Sequence, residues 1–371
     1  MRHSTGMVLC AGELSGDMHA AHVVRALRAA GVGVTGIAGT HCAAAGMDVR
    51  FHHRDYAVIG FTGVVAALPK FYRLERAMKS LIDGASLFLA VDYPGLNLRL
   101  CEYAKRRGVP VLYYIAPQVW AWGAKRVERM KRCVDQVAVV LPFEAEIYRR
   151  AGVPVEFVGH PFIVDHELPD PRAQTQRKGI ALLPGSRESE VRHMLPVVIA
   201  AAEEIARARP GTTFVIAQSP VVDERVYRDA LRTRQLDAHL EPDAVVALSG
   251  ARVAVVASGT ATLQSALLET PLVVVYRTTA INYALARRMV TIDNIGLVNV
   301  LLGERVAPEL VQGDARPAAI AQAVLNLAED APRRTAMLER FRELRISLAG
   351  GRGAERVAEM AMALASRRGA R

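Results

Sequence analysis

Asp92 stands directly after the apolar run 87–91 and before Tyr93-Pro94-Gly95-Leu96-Asn97. A carboxylate at the end of a buried parallel strand lies on the carboxyl edge of the sheet. Partial burial there raises its pKa toward the range a general base needs near neutral pH, for instance to take the proton of a sugar hydroxyl. The plain alternative is a turn aspartate preceding proline. Three further clusters are small-residue turns leading from an apolar run into a helical pattern, a form that offers backbone N–H groups to a polar or anionic ligand. The first is Gly12-Glu13-Leu14-Ser15-Gly16-Asp17, in which Ser15 or Asp17 is equally suited to capping the helix. The second, Pro184-Gly185-Ser186-Arg187, combines turn N–H groups with a guanidinium fork, the parts of a diphosphate clamp; otherwise Arg187 simply pairs with Glu190. The third is Ala257-Ser258-Gly259-Thr260. Two such turns in one half of the chain point to a nucleoside diphosphate more specifically than either alone.

The only tryptophans, Trp120 and Trp122, follow the run 111–115 in Ala116-Pro117-Gln118-Val119-Trp120-Ala121-Trp122 and suit either a sugar-stacking wall or core packing. Lys125, Arg126, Arg129 and Arg132 then read as a solvated basic helix face. There is no DxD, no HExxH, no P-loop lysine motif and no GxGxxG, and His52-His53 is merely an adjacent pair. These absences argue against a divalent metal site, an NTPase and a dinucleotide cofactor, so neither metal nor cofactor is expected.

The elements that must position these residues are short β-branched runs alternating with Ala/Leu/Arg-rich helical stretches, the pattern of parallel α/β sheets. Strands are predicted at 7–11, 87–91, 111–115, 136–140 and 156–158, and again at 180–183, 213–217, 253–256 and 272–276. The polar stretch 160–178 between the two series reads as a linker. With 371 residues the chain suits two cores of about 150–190 residues each. The expected fold is therefore α/β, with two Rossmann-like doubly wound domains facing across a cleft and ligands at the carboxyl ends of the strands. The predicted boundaries are 1–165, 178–350, and a basic helical tail at 351–371 that packs back on the first domain. No apolar run approaches the ~20 residues of a membrane span, and 1–6 do not resemble a secretory leader, which predicts a cytoplasmic protein. The scattered Cys10, Cys42, Cys101 and Cys133 fit buried reduced thiols. A formal charge of +10 suits an anionic membrane face, phosphorylated small molecules or nucleic acid. No interleaved aromatic-basic platform supports the last, and no nucleic-acid partner is expected.

Taken in order, AGELSGD (11–17), VDYPGLN (91–97), APQVWAW (116–122), LPFE (141–144), FVGHP (157–161), LLPGSR (182–187) and VASGTATLQ (256–264) resemble the lipid-A-disaccharide synthase family. The resemblance runs from about Cys10 to Gln312. It implies a GT-B-like, metal-independent, inverting glycosyltransferase. The implied donor is UDP-2,3-diacylglucosamine and the acceptor 2,3-diacylglucosamine 1-phosphate, and the product is the β-1′,6 lipid A disaccharide. Asp92 matches the family's proposed base for the acceptor 6-hydroxyl. Glu13, Ser15, Gly16 and Asp17 match its N-terminal loop, and Gly185, Ser186 and Arg187 its diphosphate site. Ser258, Gly259, Thr260, Asn299, Glu309 and Gln312 match its donor domain. Two departures stand out. Gln264 replaces a family glutamate, which predicts weaker nucleotide affinity, and Val298 replaces a proline. The resemblance also implies an anionic inner-membrane surface as partner and, in some members, a homodimer intertwined through the C-terminus. A UDP-N-acetylglucosamine 2-epimerase shares the layout and nucleotide clamp, but needs acid/base groups on both faces of one sugar and no acceptor pocket.

Within 61–81, Phe71, Leu74, Met78 and Leu81 recur at helical spacing while Lys70, Arg73, Arg76 and Lys79 lie mainly around the rest. Spacing alone favours packing into the core. The diacylated substrates implied by the resemblance favour a membrane-docking surface and acyl-chain entrance, and that is the expectation carried forward.

Overall fold

The computed structural model describes residues 6–56, 60–122, 125–279, 283 and 294–369, of which 60–68, 121, 122, 125, 368 and 369 are described by backbone alone. The chain divides into two compact units, 1–167 with 348–371, and 168–347. Each is built on one wholly parallel sheet. In the first unit the strands are β1 (Met7–Ala11), β2 (Val34–Ala38), β3 (Asp48–His52), β4 (Phe88–Val91), β5 (Val111–Tyr114), β6 (Gln136–Val139) and β7 (Val155–Phe157), in the order β3-β2-β1-β4-β5-β6-β7. In the second they are β8 (Ile180–Leu183), β9 (Phe214–Ala217), β10 (Ala238–Glu241), β11 (Val253–Ala257), β12 (Leu272–Tyr276) and β13 (Glu309–Val311), in the order β10-β9-β8-β11-β12-β13.

The central strands β1, β4, β5 and β11 are buried at every residue, as continuous apolar runs covered by helices on both faces must be. The strand order of each sheet reverses at one point, between β1 and β4 in the first unit and between β8 and β11 in the second. At such a switch point the loops from the two adjacent strands diverge to opposite faces and leave a crevice at the carboxyl edge. The Gly12 and Asp92 loops border one crevice, the Pro184–Arg187 and Ser258–Thr260 turns the other.

The last helix, Gly353–Gly369, belongs to the first unit and packs against the helix Leu14–Ala29 and β5. It and the turn before it are clasped by backbone bonds from His160 N–H to Leu348 (3.0 Å), at the end of the preceding helix, and from Gly353 N–H to Val158 (2.7 Å), and by the fork of Arg356 on Glu156 at 2.6 and 2.9 Å.

The helix Gly60–Asp83 changes one expectation. Leu74 and Met78 lie in the first unit's core with Ile82, Leu81 packs against that core, and Phe71 tilts against Tyr56 at 6.3 Å. Burying this stripe on neighbouring apolar residues removes it from water, so it is core rather than a membrane face. The helix's outer surface from Pro69 onward carries Lys70, Tyr72 (67% exposed), Arg73 and Arg76. Lys79 pairs with Glu75 at 2.7 Å, and Lys70 sits 4.9 Å over the Tyr56 ring. The side chains of 61–68, part of that expectation, lie outside the described residues. Among the described residues no helix is long and apolar enough to cross a membrane.

Candidate active site

Pairing of Ala11 with Val91 brings the Gly12 turn beside Asp92. Backbone strain concentrates there. Asp92, Tyr93 and Ile115, none of them glycine, have φ of 48°, 48° and 57°. Left-handed conformations of this kind cost of order 1 kcal/mol or more each and persist only where their surroundings impose them. Asn97, fully buried, imposes this one: its Nδ2 donates to the carbonyls of Cys10 and Val91 (3.2 Å each) and of Asp92 (2.7 Å). Tyr113 Oη donates to the same Asp92 carbonyl at 2.6 Å, and Asp92 N–H donates to Tyr114. Gly12 is required by close approach, because a Cβ there would lie 2.2 Å from Cδ1 of Tyr93. The Asp92 backbone is thus fixed from three sides. Burial pushes its carboxyl up first and the charge of Glu13 pushes further; the Tyr93 N–H and His19 oppose, and the result is about 6. That value keeps the group ionised at neutral pH yet basic enough to take a proton.

Glu13 and Ser15 are exposed at the head of the helix Leu14–Ala29, while Gly16 is buried. Asp17 is fully buried, and its two carboxylate oxygens accept the N–H groups of Gly39 (2.7 Å), His41 (3.0 Å) and Cys42 (3.1 Å). Burial works against its ionisation, but bonds from Cys42, Gly39 and His41 outweigh it and hold the carboxyl below the usual range. Asp17 therefore anchors the start of the next helix, Thr40–Ala44, rather than facing a ligand.

Two neighbours of Asp92 escaped sequence reasoning. Glu144, 2% exposed, accepts Trp120 Nε1–H at 3.1 Å. Burial pushes its carboxyl to about 8 against the bonds from Trp120 and Leu141, and the charge of Asp92 pushes the same way. Its position in LPFE was visible, but its burial was not. His19 bonds through Nδ1 to Glu167 at 2.9 Å, a pairing across 148 residues that leaves no local signal. Trp120 packs edge-on to Phe143 at 5.5 Å; the side chain of Trp122 lies outside the described residues.

In the second unit Leu183 pairs with Val256, which sets the turn Pro184–Arg187 beside Ser258-Gly259-Thr260. Gly185 has φ 132°, and a Cβ there would lie 2.7 Å from Cβ of Glu190. Arg187 is exposed at the start of the helix Glu188–Ala208, with Nη1 3.1 Å from Glu190 Oε1. Gly259 (φ 152°) precedes the helix Thr260–Leu267, whose head no side chain caps. Ser258 Oγ donates to Ile295 at 2.7 Å, and Gln264 is half-buried on the same helix.

Asn299, Glu309 and Gln312 are committed within the protein. Buried Asn299 donates both Nδ2 hydrogens, to the Ala307 carbonyl and Glu309 Oε1 (2.8 Å each), and accepts Ala307 N–H at 2.9 Å. Glu309 accepts the N–H groups of Ile295 and Gly296 at 2.9 Å each. Gln312 exchanges two bonds with the backbone of Thr278. These side chains shape the 294–299 and 278 loops and leave Asn299 no free N–H for a ligand.

A family model for lipid-A-disaccharide synthetase matches residues 7–363. The chain belongs to that family. A lipid-A-disaccharide synthase of Nitrosococcus oceani is 40% identical, over 98% of this chain and 97% of its own length. The synthetase family is one of glycosyltransferases, and the fold agrees. The calicheamicin glycosyltransferase CalG4 superposes with a TM-score of 0.61 at 17% identity, covering 99% of each chain. A putative UDP-N-acetylglucosamine 2-epimerase of Listeria monocytogenes gives 0.60 at 13% identity, covering 97% of this chain and 95% of its own. At such identities these likenesses describe the two-domain GT-B-type architecture alone, which transferases and epimerases share. The synthetase assignment rests on the family match and the close relative.

Proposed function

We propose that this chain transfers 2,3-diacylglucosamine from UDP-2,3-diacylglucosamine to the 6-hydroxyl of 2,3-diacylglucosamine 1-phosphate, giving the β-1′,6 disaccharide 1-phosphate and UDP, with Asp92 as base. Asp92 takes the hydroxyl proton as that oxygen bonds to the anomeric carbon, and the carbon–oxygen bond to the diphosphate breaks on the opposite face. Arg187 and the turn N–H groups at Gly185–Arg187 and Gly259–Thr260 receive the negative charge of departing UDP. Glu13 and Ser15 are acceptor-side contacts. Asp17, Asn299, Glu309 and Gln312 act by holding the loops in place, and Gln264 meets the ribose through its amide oxygen alone. The observation that carries this reading is the strained, half-buried carboxylate of Asp92 at a switch point, raised to about 6.

Incubation with both diacylated sugars should release UDP and disaccharide in equal amounts, and neither substrate alone should release UDP. UDP-N-acetylglucosamine alone should give no epimer. Epimer formation, or UDP release without acceptor, would replace the transferase reading by the epimerase one.

The diacylated substrates place the work at the inner face of the inner membrane. Tyr72, Arg73 and Arg76 on the outer face of the helix Gly60–Asp83 form a basic surface with an aromatic contact, each arginine worth about 1 kcal/mol near anionic lipid. Arg73→Gln with Arg76→Gln should weaken binding to vesicles containing anionic lipid and raise KM for micellar acceptor without lowering Tm. Unchanged vesicle binding would move the docking surface elsewhere.

A further inference from the structure

The turn that this reading assigns to the donor diphosphate is occupied by a carboxylate of the chain itself. Glu190 Oε2 accepts the backbone N–H of Ser186 at 3.1 Å and of Arg187 at 3.3 Å, and Ser186 Oγ donates to it at 3.4 Å. Its other oxygen accepts Arg187 Nη1 at 3.1 Å. These are two N–H groups, a hydroxyl and a guanidinium converging on one anion, the donor set that recognises a phosphate. Gly185 permits the arrangement, since only without a Cβ does the turn lie this close to the stem of Glu190. The Glu190 side chain is about one-quarter exposed, so it has an exit to solvent. As a helix cap, Glu190 satisfies N–H groups at the N-terminus of the helix Glu188–Ala208. A cap alone predicts that weakening it loosens the turn and weakens any ligand bound there.

We propose that Glu190 is a displaceable internal anion in the diphosphate turn, holding it in shape while the site is empty and swinging out when the donor diphosphate arrives. Two anions cannot share these donors, so Glu190 opposes both donor and UDP and speeds the departure of UDP after transfer. The inference rests on the proposed diphosphate role of this turn.

Glu190→Gln keeps an acceptor for the cap but removes the charge. UDP binding by calorimetry should tighten about fivefold, the effect of removing one like charge at contact distance near the surface, and the rate of UDP dissociation should fall. Glu188→Gln is the control: Glu188 lies in the same first turn, but pairs outward with Arg192 at 2.6 Å, and its loss should change the dissociation constant less than twofold, within ordinary surface-charge effects. Thermal melting checks that each variant is folded. Unchanged or weaker UDP binding in folded Glu190→Gln makes Glu190 a cap only and overturns the inference. So does equal tightening in Glu188→Gln, which would reduce the effect to net charge. The underlying reading fails separately: Arg187→Ala should weaken UDP roughly ten- to a hundredfold, and if it does not, or if the unaltered protein binds no UDP, the diphosphate assignment falls with the inference.

Discussion

Asp92→Asn should lower kcat by roughly 10²–10⁴, the usual contribution of a positioned general base, while UDP binding stays intact. The amide keeps the size and one acceptor of the carboxylate but takes up no proton at any working pH. The Asp92 backbone bonds to Asn97, Tyr113 and Tyr114 do not involve the carboxyl group, so the turn should persist. In the unaltered protein kcat/KM should fall about tenfold per pH unit below about 6, because protonated Asp92 cannot act as base. That acid limb should vanish in the variant. Stability should move the opposite way. The folded carboxyl holds its proton to a higher pH than the unfolded one, so this group favours the native state at low pH and disfavours it as pH rises through 6. Above that pH the asparagine variant should therefore melt no lower than its parent, and a strained charge kept at some cost in stability is what a functional group predicts. Turnover close to normal, or an unchanged acid limb, would remove Asp92 as base.

Gly12→Ala should be nearly as damaging, at about 10²-fold in kcat/KM, through displacement rather than lost chemistry. The new methyl would lie 2.2 Å from the Tyr93 ring, a separation that cannot be kept, so either ring or turn must move. Tyr93 follows Asp92 directly and shares its left-handed backbone, so the carboxylate moves with it. UDP affinity, which belongs to the second unit in the proposed site, should hardly change. Loss of UDP binding together with activity would mean general unfolding. Full activity would mean that the Tyr93 ring gives way without carrying Asp92.

Much of the architecture was legible because parallel strands buried on both faces must be apolar throughout. Such runs mark β1, β4, β5, β8 and β11, and the turns at Gly12, Asp92, Pro184 and Ser258 end four of them. The positions of the candidate base and of the proposed diphosphate turns were legible for the same reason: in these sheets the loops at the carboxyl edge begin where an apolar run stops. Strands β2, β3, β10 and β13 were not read, and in β2 Thr35 and Gly36 interrupt the apolar run. Asp48, Arg50 and His52 in β3, and His239 with Glu241 in β10, break the apolar pattern, while β13 has only three residues. Backbone pairing to a neighbouring strand makes them β, and their side chains carry little of that information.

The roles of polar side chains divided along similar lines. Asp17, Asn299 and Glu309 stood in motifs, but whether a carboxylate or amide faces a ligand or its own backbone depends on which N–H groups the fold brings within hydrogen-bond distance. Asp17 finds Gly39, His41 and Cys42, and Glu309 finds Ile295 and Gly296. The stripe Phe71, Leu74, Met78 and Leu81 had the same limit, since its amphipathic period is identical whether the apolar face meets lipid or a neighbouring core. The sequence by itself determined where apolar runs end and which residue types stand there. Only the tertiary structure decided which of those residues are spent on the protein's own backbone, because hydrogen bonding and burial depend on neighbours that the chain brings together from far apart.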